Sequence, residues 1–265
     1  KAQLNTRDRL GRTPLHKAVE YGRMEAVEIL TNGGADPDIP DLVGQTPLIC
    51  SISEHGVDGE EIALHLIRQG ADIHAKDAKG FTACYRAAQR GCLSVLGELI
   101  SKGADVNIRP FNGKTPLMEV VHAAGWHHLH NRYAIYEAAA GLLLSGGADP
   151  DIADNKKKTP LAKAAKDSED GLCQLLLHAG ANVAIVDYLG RDALMRAASS
   201  IFSTRKTLDL LIAHGADVNA ASPDGMTPLM MAAETGGKKA MERLIYHGAH
   251  VNSINKDGKT ALDFA

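Results

Sequence analysis

The 265 residues carry 29 Lys and Arg against 32 Asp and Glu, a formal net charge of -3, which gives no global electrostatic case for nucleic acid or an anionic membrane as partner. Hydrophobic residues make up 45% and aromatics 4%, as suits a core of Leu, Ala, Val and Ile between thin helices, and no apolar run approaches the roughly 18 residues of a spanning helix. Cys50, Cys84, Cys92 and Cys173 lack C-x-x-C spacing, no N-x-S/T sequon occurs and Lys1 to Arg7 has no signal-peptide core, so a reducing compartment is expected, cytoplasmic or else nuclear.

The first predicted helix opens at Gly11-Arg12-Thr13-Pro14-Leu15-His16. Thr13 is a fitting N-cap and Pro14 stands at N1, where a missing N–H costs nothing. Leu15, Ala18 and Val19 share one face, Gly22 ends the helix, and Met24, Val27, Ile29 and Leu30 form the stripe of a second helix that stops before Gly34. The same phrase returns at Gly44, Gly113 and Gly225, and more loosely at Gly80, Lys157, Gly190 and Gly258, at spacings of 33, 36, 33, 44, 33, 35 and 33 residues. Second helices end at Gly34, Gly70, Gly103, Gly147, Gly180, Gly215 and Gly248, each suited to a left-handed C′ position.

A period of about 33 with a T-P-L-H-like tag resembles the ankyrin repeat. The resemblance implies an all-α repeat solenoid of stacked helix-turn-helix units joined by hairpin-like fingers. It implies one domain over residues 1–265, with seven full repeats and a truncated eighth. The chain begins without Met and stops inside the first helix of that eighth unit, so a fragment of a longer protein is expected.

Some units depart from the pattern. Thr82-Ala83-Cys84 loses the proline, Asp192-Ala193 replaces Thr-Pro, Lys157 stands where glycine is usual, and Ser168 and Ile201 replace the glycine between helices. Helix starts and turns are expected to be less defined there, most of all from Ser199 to Thr204. Extra residues in units two, four and six, around Gly56 to Glu60, Ala124 to Tyr133 and Ile201 to Ser203, fall between the two helices and are expected to project along the edge opposite the fingers.

Ankyrin-like domains bind partners through finger tips and the exposed face of the first helices. Carried onto this chain, that surface holds Arg9, Arg12, Tyr21, Lys79, Phe81, Arg90, Phe111, Lys114, Lys156, Lys158, Tyr188 and Arg191, with Trp126 in the insert beside it. Basic residues outnumber acidic ones there, and Tyr21, Phe81, Phe111 and Tyr188 supply aromatics of the kind found at interface hot spots. The expected partner is a protein or peptide of acidic character, centred on units three to five. Charge reversal at Arg90, Lys114 and Lys158 is expected to weaken binding and leave unfolding nearly unchanged.

Other signals are weaker. His122, His127, His128 and His130 offer imidazoles, but only Glu119 and Glu137 lie near, short of a convincing zinc site. Gly113-Lys114-Thr115 and Gly258-Lys259-Thr260 look like the end of a phosphate-binding loop, yet the earlier glycine is replaced by Ile108 and Ser253. No catalytic motif is present, so neither enzyme activity nor a cofactor is expected, and a monomer is. Asn107, Asn219 and Asn252, each eight residues after a leucine, resemble ankyrin-repeat asparagines that are hydroxylated in animals, although the repeat itself sets both positions. The alternative reading is a regulatory or targeting segment of a larger enzyme, channel or effector.

Overall fold

A computed structural model describes residues 3–54, 57–126 and 133–265. Among them are fourteen α-helices and no strand. The helices come in pairs, one pair per repeat: α1 Pro14–Glu20 with α2 Met24–Asn32, α3 Pro47–Glu54 with α4 Val57–Arg68, and α5 Ala83–Arg90 with α6 Leu93–Ser101. The series continues with α7 Pro116–Trp126 and α8 Tyr133–Ser145, α9 Pro160–Asp167 and α10 Asp170–His178, α11 Ala193–Ala198 and α12 Arg205–Ala213, and α13 Pro228–Glu234 and α14 Lys238–Tyr246. A short 3-10 turn, Ala261–Phe264, opens the eighth unit.

The chain divides into two compact units, Lys1–Val120 with Ser145–Ala148, and Val121–Leu144 with Asp149–Ala265. Inside the first, α1, α3 and α5 pack side by side, as do α2, α4 and α6, and each first helix packs on its own second helix. Inside the second, α9, α11 and α13 form one row and α10, α12 and α14 the other. The tag leucines Leu15, Leu48, Leu117, Leu161, Leu194 and Leu229 are all buried, so replacing any by Ala costs about 2–5 kcal/mol.

Helix starts hold even where the tag is broken. Thr82 Oγ1 accepts from the Tyr85 amide at 3.3 Å and Asp192 Oδ1 from the Met195 amide at 2.8 Å, just as Thr13, Thr115, Thr159 and Thr227 cap their own helices. An acceptor at the N-cap is what the helix needs, and both variants retain one. The less-defined starts expected from sequence are therefore not seen. Lys157 and Ser168 simply take the left-handed conformation of the glycines they replace, with φ 56° and 60°. Only the sixth repeat loses helix, as α11 stops at Ala198.

The inserts also differ from expectation. In repeat two, Val57 to Glu60 form the first turn of α4, which has 12 residues where α2 has 9. In repeat four, α7 reaches 11 residues and α8 reaches 13. Much of the added chain thus continues the helices, where each further residue gains a backbone bond. Residues 127–132 lie outside the described residues.

Between repeats the chain makes a finger. Asp41 N–H donates to the Gln45 carbonyl at 2.9 Å while Asp41 Oδ1 accepts from the amides of Val43 and Gln45, both at 2.9 Å, and the pattern recurs at Asp8, Asp77, Asp154, Asp187 and Asn255. Neighbouring fingers are tied by one backbone bond, such as Ala78 N–H to Val43 O at 2.9 Å or Tyr188 N–H to Lys156 O at 3.3 Å. Gly44 allows this approach, because a Cβ there would meet the Ala78 nitrogen at 2.7 Å. Pro223 has no N–H to offer, and its ring instead packs over Gly190, where a Cβ would lie 2.1 Å from Cδ.

Candidate functional site

At three of the fingers the aspartate meets the residue nine positions later, on the first helix. Asp8 meets Lys17 at 3.8 Å and Asp77 meets Arg86 at 3.1 Å, and Asp187 pairs with Arg196. The arginine or lysine clamps the finger to its own helix. Arg86 also lies over the Phe81 ring at 4.3 Å, and Phe81 stacks on Tyr85 at 4.6 Å. Phe81 is therefore buried core, not the exposed aromatic contact expected from sequence, because the ring turns under the finger onto α5. Tyr21, Phe111 and Tyr188 do stand in solvent, at 66%, 81% and 60% exposure.

Repeat four inverts that register. Pro110 takes the place of the finger aspartate and Glu119 the place of the cation. Glu119 is buried, and three groups converge on it: Lys114 Nζ at 3.3 Å from Oε2, Tyr85 Oη donating to Oε2 at 3.1 Å, and Gln89 Nε2 donating to Oε1 at 3.0 Å, while Asn112 Nδ2 donates to Tyr85 Oη at 2.7 Å. Burial pushes the Glu119 carboxyl up, but Lys114 and the hydrogen bonds from Gln89 and Tyr85 outweigh it and hold the group below its ordinary value. Burial raises the Tyr85 hydroxyl. Lys114 is thus a structural cation, and its reversal would disturb folding as well as any ligand, contrary to expectation.

Other groove cations are also engaged. Arg12 reaches Glu20 at 2.7 Å, and Arg90, although exposed, donates to the Ser53 carbonyl. Arg9 and Lys79 stand exposed at their finger tips. Trp126 ends α7, and its side chain lies outside the described residues, as do His127, His128 and His130. No group of three or more His, Cys, Asp and Glu able to hold a metal occurs among the described residues. Cys50, Cys84 and Cys173 are buried and outside any disulfide, and burial pushes the Cys84 thiol up to about 12. The Asn107 and Asn219 amides donate to the carbonyls of Gly147 at 3.0 Å and Gly248 at 3.2 Å, which ties each finger base to the next repeat, while Asn252 is exposed.

The fifth and sixth repeats differ. Lys163 is taken by Asp167 and Arg196 by Asp187, whereas Lys156, Lys158 and Lys166 have no carboxylate within ion-pair distance among the described residues. Lys158 is half-buried; burial first, then Arg196 and Lys166, pull its ammonium below the ordinary lysine value. Oδ1 of the nearby Asp154 accepts from the amides of Lys156 and Lys158, at 2.7 and 2.9 Å, and the Asp154 charge offsets only part of this depression. Tyr188 and Arg191 belong to the next finger, whose Tyr188 amide binds the Lys156 carbonyl. The result is a patch of positive charge with an exposed aromatic at its edge. Sequence places these residues but misses the Glu119 cluster, whose signal was a carboxylate in a register position that Lys17, Arg86, Lys163 and Arg196 fill elsewhere.

The model of the ankyrin repeats family (3 copies) matches residues 1–77, 55–132, 131–222 and 194–265. The chain belongs to the ankyrin-repeat family, whose repeats are protein–protein interaction modules. It is 35% identical over 162 residues to neurogenic locus notch homolog protein 1 of Xenopus tropicalis, covering 60% of this chain and 6% of that protein. It is 34% identical over 116 residues to the mouse B-cell lymphoma 3 protein homolog, covering 43% of this chain and 25% of that protein. The chain therefore spans a small part of these relatives. In structure it resembles the ankyrin repeat domain of Bcl-3, with TM-score 0.70 and 30% identity over 89% of this chain and 99% of that one. The ankyrin repeat domain of human ASB11 shares the fold at TM-score 0.72 and 21% identity, over 90% of this chain and 99% of that one. None of the described helices is long and apolar enough to cross a membrane.

Proposed function

We propose that the chain binds an acidic segment of a partner protein through the fingers and first helices of the fifth and sixth repeats. Lys156, Lys158 and Lys166 attract the carboxylates, Arg191 flanks them, and Tyr188 supplies an aromatic contact. The single observation behind this reading is the half-buried Lys158 ammonium held among cations with no carboxylate partner among the described residues. An incoming carboxylate relieves that repulsion, so the fold gains from occupancy what it lacks alone.

The test uses fluorescence anisotropy with a short labelled peptide of Asp and Glu residues. Lys158→Glu is expected to weaken binding about tenfold, or about 1.4 kcal/mol, and Tyr188→Ala about threefold. Equal affinity for the wild type and Lys158→Glu would show that the acidic ligand sits elsewhere.

A further inference from the structure

At the opposite end of the same helices, the turn between α11 and α12 carries the two residues by which the sixth repeat, at 35, exceeds its neighbours at 33. The turn is tight: the Ser203 amide bonds the Ser200 carbonyl at 3.1 Å and the Phe202 amide bonds Ser200 Oγ at 3.2 Å. It holds Ile201 and Phe202 out in water, 75% and 70% exposed. Neither residue adds to the core, so folding does not account for two adjacent large apolar side chains on a surface turn. They wall a cleft of about 720 Å³ whose far side is the start of α14, from Gly236 to Ala240.

The lining of this cleft includes Arg205, Lys238 and Lys239 and no carboxylate. Arg205 is bound to Glu242 at 3.1 Å, whereas Lys238 and Lys239 are exposed. Ser203 Oγ is shielded from water without a hydrogen-bond partner, and Gly237 provides no side-chain cap for the α14 amides. The exposed ammonium groups of Lys238 and Lys239 thus favour an anion, and the exposed Ile201 and Phe202 a large apolar side chain.

We propose that this cleft is a second docking site, on the rim away from the fingers, for a partner protein's acidic segment that inserts a large apolar side chain between Phe202 and α14. A cleft lined on one side by Phe202 and on the other by the start of α14 can hold an inserted side chain on two sides, which a flat lipid surface cannot supply. Charge complementarity sets the flanking acids against Lys238 and Lys239. The site is independent of the Lys158 patch.

The probe is a short fluorescein-labelled peptide of Asp and Glu around a central Leu-Phe pair, titrated against the full chain by anisotropy, with a Lys158→Glu background to remove groove binding. Saturable binding is expected, weakened about tenfold by Phe202→Ser, by Lys238→Glu with Lys239→Glu, or by an Ala-Ala pair in the peptide. These positions are exposed, so unfolding midpoints should match the wild type. Absence of saturable binding in the Lys158→Glu background, or binding indifferent to Phe202, overturns the proposal. So does co-sedimentation with phosphatidylserine vesicles that Phe202→Ser abolishes while the peptide fails to bind.

Discussion

On the third and fourth repeats two cations near the fingers are answered from within the fold, Arg86 by Asp77 and Lys114 by a buried Glu119 that Tyr85 and Gln89 also hold, while Lys79 stands exposed at its finger tip. On the fifth and sixth, Arg196 and Lys163 are answered in the same way, yet Lys156, Lys158 and Lys166 are left over. The two regions look alike when Lys and Arg are counted along the sequence. What a surface presents to a partner is only the charge that the fold has not already used, and by that measure the fifth and sixth repeats are the more electropositive.

The sharpest way to break this comparison is to remove the buried carboxylate. Glu119→Ala strands Lys114 and two donors in a poorly hydrated place and is expected to cost about 3 kcal/mol in urea unfolding, against less than about 0.5 kcal/mol for Lys158→Ala. Similar losses in both would mean that the two lysines are not in different situations. Reversal extends the contrast. Lys114→Glu sets a second carboxylate against Glu119 and should lower stability by about 2 kcal/mol, while Lys158→Glu should leave the unfolding midpoint within about 0.5 kcal/mol of wild type.

Acid separates the regions further. Glu119 is held below its unfolded value, so its contribution to stability is full above the ordinary carboxylate range and is lost as pH falls through its folded value. Glu119→Gln should therefore flatten the dependence of the urea midpoint on pH between about 3 and 5. Lys158 has the opposite sense: its folded value is also depressed, so its charge opposes folding at neutral pH and that cost fades as pH rises through the folded value. A smaller effect than at Glu119 or Lys114 is expected at Lys157, whose φ of 56° suits glycine. Lys157→Gly should raise stability by about 1 kcal/mol in urea titration, and a loss would mean that the lysine stem packs usefully where it lies.

The repeat, its caps and its C′ glycines were legible because each depends on a residue type at a fixed phase. Asp192 could be read as a cap from its side chain alone, without the proline. Phe81 was read as exposed from its place in the finger, but it follows Gly80 where Phe111 and Tyr188 precede Gly113 and Gly190, and there its ring lies between Arg86 and Tyr85. Lys114 was misread for a related reason: the carboxylate that engages it sits five residues away, but two of the groups that fix that carboxylate, Tyr85 and Gln89, come from the preceding repeat. A single period shows which residues recur, and it takes two adjacent periods aligned side by side to show which ones answer each other.

Pro223 has a consequence of another kind. At most finger junctions the contact is a backbone bond, which any residue but proline can make and which carries no information about its neighbour. Here the contact is a ring seated over Gly190, so the sixth and seventh units recognise each other by side-chain shape. A repeat block exchanged into this boundary would have to match a ring as well as keep its glycine, whereas a block placed against Gly44 need only bring a backbone.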